Sequence, residues 1–208
     1  MARVLVLSPH PDDEAIGCGG TICSHRDAGD AVRVVYLTSG EQGGHGMSPA
    51  ATRERREAEA AVAARVLDVE SIDFWRAPDG ALRADATLGS RLSRLLLEWR
   101  PDVVYTTHDG ETHPDHRAAS RIVRRALSES RCAPEVFLFE IWTPLIRMDR
   151  IVDITPWIDR KIDAVRAYES QCAVLRFDEA IRGLNRYRGE MHSWPDGDYA
   201  EVFVALRR

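Results

Sequence analysis

Residues 4–14 read VLVLSPHPDDE and join a short apolar run directly to a cluster of polar side chains. Four consecutive apolar residues are typical of a strand that is buried on both faces. His10, Asp12, Asp13 and Glu14 follow, and they place one imidazole and three carboxylates where the chain leaves the predicted strand. Such groups repel and desolvate one another unless a positive charge lies among them, and a bound divalent cation would supply it. On its own, the segment is equally compatible with a solvated acidic loop.

Short β-branched runs alternate with longer segments of helical period along the rest of the chain. Strands are predicted at residues 4–7, 32–37, 71–75, 103–106, 136–141, 151–154 and 202–206. Helices are predicted from the Ser48-Pro49 pair to about Leu67, over residues 88–99, and from the Thr155-Pro156 pair onward. This alternation predicts an α/β fold in which a mostly parallel sheet lies between layers of helices.

The composition favours one domain over residues 1–208, since 44% of the 208 residues are hydrophobic and no repeat or linker interrupts them. The 28 basic and 33 acidic residues are interleaved, which argues against nucleic acid as a partner. No apolar stretch reaches the roughly 20 residues of a bilayer-spanning helix, and a strand, not a leader, follows Met1. We therefore expect no membrane insertion and a cytoplasmic location. A homo-oligomer remains open.

A second polar cluster, HDGETHPDH at residues 108–116, follows the strand predicted at 103–106. The carboxyl ends of parallel strands share one edge of a sheet, so the two clusters can meet although about a hundred residues separate them. Pro114 suits the first helical position and places His116 in the first turn of the next helix.

Together the clusters predict one catalytic Zn²⁺ per chain, because two histidines and one carboxylate form a recurring zinc site with an open position. The predicted ligands are His10, Asp13 and His116. Asp12 is left as the general base, and His113 as the cation or acid that stabilises an oxyanion and protonates the leaving amine. Asp115 is placed to orient a histidine.

The motifs PHPDDE at residues 9–14 and HPDH at 113–116 resemble the hallmark pair of the LmbE-like, or PIG-L, family of zinc-dependent N-acetylglucosaminyl deacetylases. The resemblance implies a Rossmann-like three-layer sandwich, the same zinc ligands and the same general base. It implies removal of an acyl group, in the first instance acetyl, from the nitrogen of a small N-acylated amino sugar or glycoconjugate. An amidase acting on a sugar–thiol conjugate or another non-acetyl amide, or a silent sugar-binding protein of the same fold, remains an alternative.

Substrate contacts are expected from Arg56, which the resemblance singles out with a glutamate three residues later, and from Glu41, His45 and Asp79 in loops after the second and third strands. The alternative for Arg56 is an exposed helix arginine. Loops at residues 38–47, around Asp79 and at 171–198 are expected to shape the pocket. Glu111 departs from the family, since some sugar deacetylases have a tyrosine at this position.

Two rival classes are disfavoured. Gly17 to Gly20 fail the GxGxxG spacing of a dinucleotide site, and the carboxylates of residues 12–14 would lie where pyrophosphate should bind. A phosphoesterase with paired metals needs more ligands than the three that converge here.

Overall fold

The computed structural model describes residues 1–192 and 197–207, and these contain seven strands and seven α-helices. The strands are β1 (Arg3–Ser8), β2 (Ala31–Tyr36), β3 (Ser71–Phe74), β4 (Val103–Thr107), β5 (Glu135–Phe139), β6 (Arg150–Asp153) and β7 (Ala200–Ala205). The helices are α1 (Asp13–Asp27), α2 (Pro49–Val66), α3 (Ala86–Trp99), α4 (Pro114–Ser130), α5 (Ile158–Arg166), α6 (Glu169–Cys172) and α7 (Phe177–His192). None of the helices in these two ranges is long and apolar enough to cross a bilayer.

All seven strands form one sheet in the order β3-β2-β1-β4-β5-β7-β6. Strands β1 to β5 are parallel, whereas β7 runs antiparallel to both of its neighbours. In register, Val4 of β1 lies between Val32 of β2 and Val103 of β4. The strand order reverses between β1 and β4, and open α/β sheets bind ligands at such a switch point.

Alternate residues of β1 face two separate cores, which explains why its sequence is continuously apolar. Val4 and Val6 pack in a cluster with apolar residues of α1, α2 and α5, and Leu5 and Leu7 pack with those of α3 and α4. All four side chains are fully buried. The predicted sheet between two helical layers is therefore confirmed.

The glycines of α1 serve packing. A Cβ at Gly17 would overlap the ring of Phe139, and a Cβ at Gly20 would lie 2.6 Å from Ile154. The glycine-rich sequence after β1 thus brings α1 close to the sheet and to the segment after β6.

The helix starts predicted at the Ser48-Pro49 pair and at Pro114 are present, since α2 begins at Pro49 and α4 at Pro114. Residues 155–157 form one turn of 3₁₀ helix before α5. The expectation of a loop over residues 171–198 was wrong, because α6 ends there and α7 occupies residues 177–192. The buried face of α7 begins with the apolar residues Phe177, Ile181 and Leu184, which pack on the core, and continues with the polar Asn185 and Arg188. Residues 193–196 of that segment lie outside the described residues.

Candidate active site

The two polar clusters meet at the carboxyl edge of β1 and β4. The atoms His10 Nδ1, Asp13 Oδ2 and His116 Nε2 form a triangle with sides of 3.1, 3.3 and 3.3 Å. Tetrahedral ligands that lie about 2.0–2.1 Å from a zinc ion are about 3.3–3.4 Å apart. The measured distances are close to this value, so the three donor atoms fit a single divalent ion. All three side chains are also buried.

The charges around this triangle favour a cation. Burial lowers the pKa of His10, but hydrogen bonds to Asp115, Asp13 and Asp79 outweigh burial and raise it well above its usual value. Burial is likewise outweighed at His116, where Asp13 and then Glu111 raise the pKa to about 9. The surrounding carboxylates therefore stabilise positive charge, whether it is carried by protons or by an ion.

Asp115 and Asp79 lie on the other side of the His10 ring. Their carboxylates are 3.3 and 3.1 Å from His10 Nε2. Asp115 also accepts hydrogen bonds from the backbone N–H groups of Gly80 and Leu82, at 2.8 and 3.0 Å. A histidine whose Nε2–H donates to a carboxylate presents Nδ1 as a ligand with a fixed ring orientation. Asp115 thus contacts a histidine, as expected of an orienting group, and that histidine is His10.

Asp12 enters the site with an unusual backbone. Its φ of 128° is rare for any residue other than glycine and costs of the order of 1–3 kcal/mol. Its N–H donates to Glu14 Oε2 at 3.2 Å, and Glu14 in turn accepts a short hydrogen bond from the Tyr168 hydroxyl. Burial raises the pKa of Asp12 to about 7, although Arg56 lowers it.

Arg56 is buried, so the alternative interpretation of Arg56 as an exposed helix arginine is wrong. Its Nη2 donates to Asp12 Oδ2 at 3.0 Å and to the Pro11 carbonyl at 2.6 Å, and its Nη1 donates to the Gly40 carbonyl at 3.1 Å. A Cβ at Gly40 or Gly43 would overlap or crowd the guanidinium. The glycines after β2 therefore make room for the guanidinium of Arg56 beside Asp12.

His113 caps α4 and lines the cavity. Its Nδ1 accepts a hydrogen bond from the Asp115 N–H at 3.3 Å, so the neutral ring carries its proton on Nε2. Burial, then repulsion from His10 and His116, lowers the pKa of His113. One nitrogen of each of these three histidines lies within 4.8 Å of the others.

Of the other residues predicted to contact substrate, two line the cavity and one does not. Asp79 and the exposed His45 line the cavity, and Asp79 Oδ2 accepts a hydrogen bond from the Gln42 N–H at 2.8 Å. Glu41 is not among the lining residues. Its Oε1 instead accepts from the Asp79 N–H at 3.0 Å and supports the loop that carries Asp79.

Glu111 turns inward instead of lining the cavity. Its carboxylate accepts from the N–H groups of residues 141–143 at 2.7–3.2 Å and lies 3.7 Å from His116 Nδ1. Burial raises the pKa of Glu111, but the hydrogen bonds to His108 and His116 have the larger effect and lower this pKa to about 2. Glu111 thus anchors the segment after β5.

The cavity has a volume of about 330 Å³, at the lower end of the usual range for small-molecule sites. Its floor holds the histidines and carboxylates described above. Sequence reasoning missed the apolar residues of its wall, namely Ile16, Ile141, Trp142, Val174, Leu175 and Phe177. The only sequence signal for the last three was their position in the segment expected to shape the pocket.

Known proteins are similar to this chain in sequence and in fold. A probable N-acetyl-alpha-D-glucosaminyl L-malate deacetylase 2 of Bacillus subtilis is 30% identical over 183 residues, which cover 81% of this chain and 83% of the relative. The N,N'-diacetylchitobiose deacetylase of Pyrococcus horikoshii superposes with a TM-score of 0.87 at 25% identity. The superposition covers 99% of this chain and 84% of the Pyrococcus horikoshii chain. The 4-carboxy-2-hydroxymuconate hydratase of Pseudomonas putida superposes with a TM-score of 0.88 at 26% identity, over 100% of this chain and 97% of its own.

The PIG-L family model, described as GlcNAc-PI de-N-acetylase, matches residues 5–127, which is more than half of the chain. The match contains most of β1, all of β4 and both polar clusters, and it confirms the resemblance seen in the sequence. The chain therefore belongs to the PIG-L, or LmbE-like, family.

Proposed function

We propose that this protein is a zinc-dependent hydrolase that removes an acetyl group from the nitrogen of an N-acetylated amino sugar or its glycoside. The observation that carries the proposal is the triangle of His10, Asp13 and His116 donor atoms beside the buried carboxylate of Asp12. The set of two histidines and one carboxylate matches catalytic zinc sites. Zinc held there would act as a Lewis acid and lower the pKa of a water molecule to about 7.

Asp12 supplies the proton transfers. A carboxylate with a pKa near the operating pH can accept a proton from the attacking water and later return it. The water oxygen bonds to the amide carbon, the carbon–nitrogen bond breaks, and the proton moves from Asp12 to the departing nitrogen. In this mechanism Asp12, and not His113 as expected from the sequence, protonates the leaving amine. The products are a carboxylate and an amine.

His113 stabilises the oxygen on which negative charge develops. Its lowered pKa favours the neutral ring, which donates a hydrogen bond from Nε2–H rather than acting as a cation. Asp115 and Asp79 hold the His10 ring, and Arg56 holds the Asp12 carboxylate. Relatives named as deacetylases of GlcNAc-malate and of diacetylchitobiose support an amino-sugar substrate.

The first experiment measures zinc per chain by elemental analysis, together with amine release from N-acetylglucosamine, its methyl glycoside and N,N'-diacetylchitobiose. We expect about one zinc per chain and release of one amine per acetyl group. Asp12→Ala should keep zinc and lose turnover, whereas Asp163→Ala, at an exposed carboxylate of α5, should match the parent protein. Turnover that survives in Asp12→Ala, or that needs no metal, would refute the mechanism.

Hydration of an unsaturated carboxylate is the competing function, because the Pseudomonas putida hydratase has the same fold. Its named substrate carries several carboxylates. Among the residues that line the cavity in the described chain, Arg56 is the one arginine or lysine, and it already bonds Asp12 and two backbone carbonyls. Loss of the ultraviolet absorbance of 4-carboxy-2-hydroxymuconate, without amine release from any amino sugar, would favour the hydratase.

A further inference from the structure

One side of the cavity is apolar and stands half exposed beside the polar floor. Trp142 is 49% exposed, Val174 47% and Leu175 45%. Trp142 packs edge to face on Phe177, with 5.7 Å between the ring centroids. We call these four residues the apolar wall. Large apolar side chains that stay exposed in a concave site are suited to contact an apolar part of a ligand.

Buried polar bonds, and not burial of the tryptophan itself, hold the segment that carries Trp142. The Glu111 carboxylate accepts hydrogen bonds from the N–H groups of residues 141–143. Glu140, directly before this segment, forms a buried two-pronged pair with Arg188 of α7 at 2.9 and 2.6 Å. The backbone that carries the indole is thus fixed before a ligand arrives, and the ring rests on Phe177, so binding has less to order.

The charges of the cavity do not suit an anionic ligand next to this wall. Asp12, Asp13 and Asp79 face the cavity, and the guanidinium of Arg56 is already bonded to Asp12 and to two carbonyls. The one guanidinium nitrogen of Arg56 without a partner, Nε, is buried. A carboxylate or phosphate on the substrate would therefore lose its hydration without gaining an accessible guanidinium or ammonium partner from the lining residues of the described chain.

We propose that the apolar wall binds an uncharged, apolar aglycone, an aryl or alkyl group carried on the anomeric oxygen of the amino sugar. This inference rests on the proposed function and narrows its substrate class. The acetamido group lies over the polar floor at Asp12 and His116, and the aglycone extends over Trp142. Aglycones that carry a carboxylate or phosphate are disfavoured.

The test compares the benzyl and methyl glycosides of N-acetylglucosamine with zinc-loaded protein. Contact of a phenyl group with the wall should raise kcat/KM for the benzyl glycoside at least about 10-fold over the methyl glycoside, mostly through KM. Trp142→Ala should bring this ratio close to one. Leu175→Ala should also lower the ratio, and this second variant keeps the test decisive if Trp142→Ala folds poorly. Ile146→Ala is the matched control, since Ile146 follows in the same segment, is 94% exposed and does not line the cavity. Its ratio should equal that of the parent protein.

Calorimetric Kd values for the two glycosides separate this inference from the proposed function. Amine release with a benzyl-to-methyl ratio near one overturns the inference and leaves the deacetylase intact. No amine release, with the benzyl glycoside bound at least 10-fold more tightly and the difference lost in Trp142→Ala, overturns the deacetylase and retains the apolar subsite. An equal loss for both glycosides in Trp142→Ala means that the indole stacks on the sugar ring, which also overturns the inference.

Discussion

Replacing Arg56 by glutamine should move the acidic limb of the pH–rate profile to higher pH. The guanidinium lies 3.0 Å from Asp12 Oδ2 and lowers the pKa of that carboxyl against the opposing effect of burial. Without the cation the pKa rises, so more alkaline solution is needed to keep Asp12 in the basic form that accepts the proton. Activity near neutral pH should therefore fall more than activity at pH 9.

The size of the shift follows from the strength of the contact. Coulomb's law with an effective dielectric constant of 20 gives an upper bound of about 5.5 kcal/mol for unit charges at the 3.0 Å separation of these atoms. Hydrogen bonds to charged groups are worth about 1.5–3 kcal/mol in practice. One pKa unit corresponds to about 1.36 kcal/mol, so we expect the limb to move by about 1–2 pH units.

The assay is amine release from the methyl glycoside of N-acetylglucosamine between pH 5 and pH 10, reported as kcat/KM. Arg56→Lys keeps the positive charge and should restore most of the shift. Arg55→Gln, at an exposed neighbour on the same helix, is the control and should leave the limb in place. If the limb of Arg56→Gln stays within about 0.2 pH units while the plateau falls, Arg56 acts on the substrate and not on Asp12, and the electrostatic reasoning is wrong.

Three further perturbations test the metal site and the packing. His116→Ala should lose zinc after dialysis while Asp12→Ala retains about one ion per chain, and equal zinc content in both would contradict the assignment of ligands. Lys161→Met leaves Glu201, its buried partner at 2.7 Å, without its cation, so the free energy of unfolding in urea should fall by about 3–5 kcal/mol; a change below 1 kcal/mol would show that the backbone partners of Glu201 suffice. Gly17→Ala forces a methyl group into the Phe139 ring and should cost about 1–3 kcal/mol in the same measurement, whereas an unchanged midpoint would mean that the ring moves aside freely.

The sheet and the polar floor of the cavity could be predicted from the sequence because each depends on a local pattern. A buried parallel strand reads as a continuous apolar run, and all seven predicted strands overlap observed ones. The ends of β1 and β4 carry the polar clusters, and parallel pairing alone brings those ends together. The structure places one donor atom each of His10, Asp13 and His116 within 3.3 Å of one another, and their roles as metal ligands stay predictions.

The rest depends on partners that are distant in the chain. Helix α7 was missed because its apolar stripe is short. The buried face continues with Asn185, which donates to the Ala200 carbonyl, and with Arg188, which pairs with Glu140. The second half of the buried face is therefore polar, and only its first half, with Phe177, Ile181 and Leu184, shows the helical period in the sequence. Arg56 could be read as an exposed arginine because the glycines that make room for it belong to another segment.

The position of β7 between β5 and β6 has a consequence during synthesis. Strand β6 pairs with β7 and with no other described strand, and about 60 residues separate β5 from β7. At roughly 5–20 residues per second, a ribosome needs about 3–12 s to make that stretch. For this time the outer edge of β5 has free N–H and carbonyl groups and can pair with strands of other nascent chains. Aggregation during expression should therefore respond more to slow translation of residues 140–199 than to slow translation of residues 1–60.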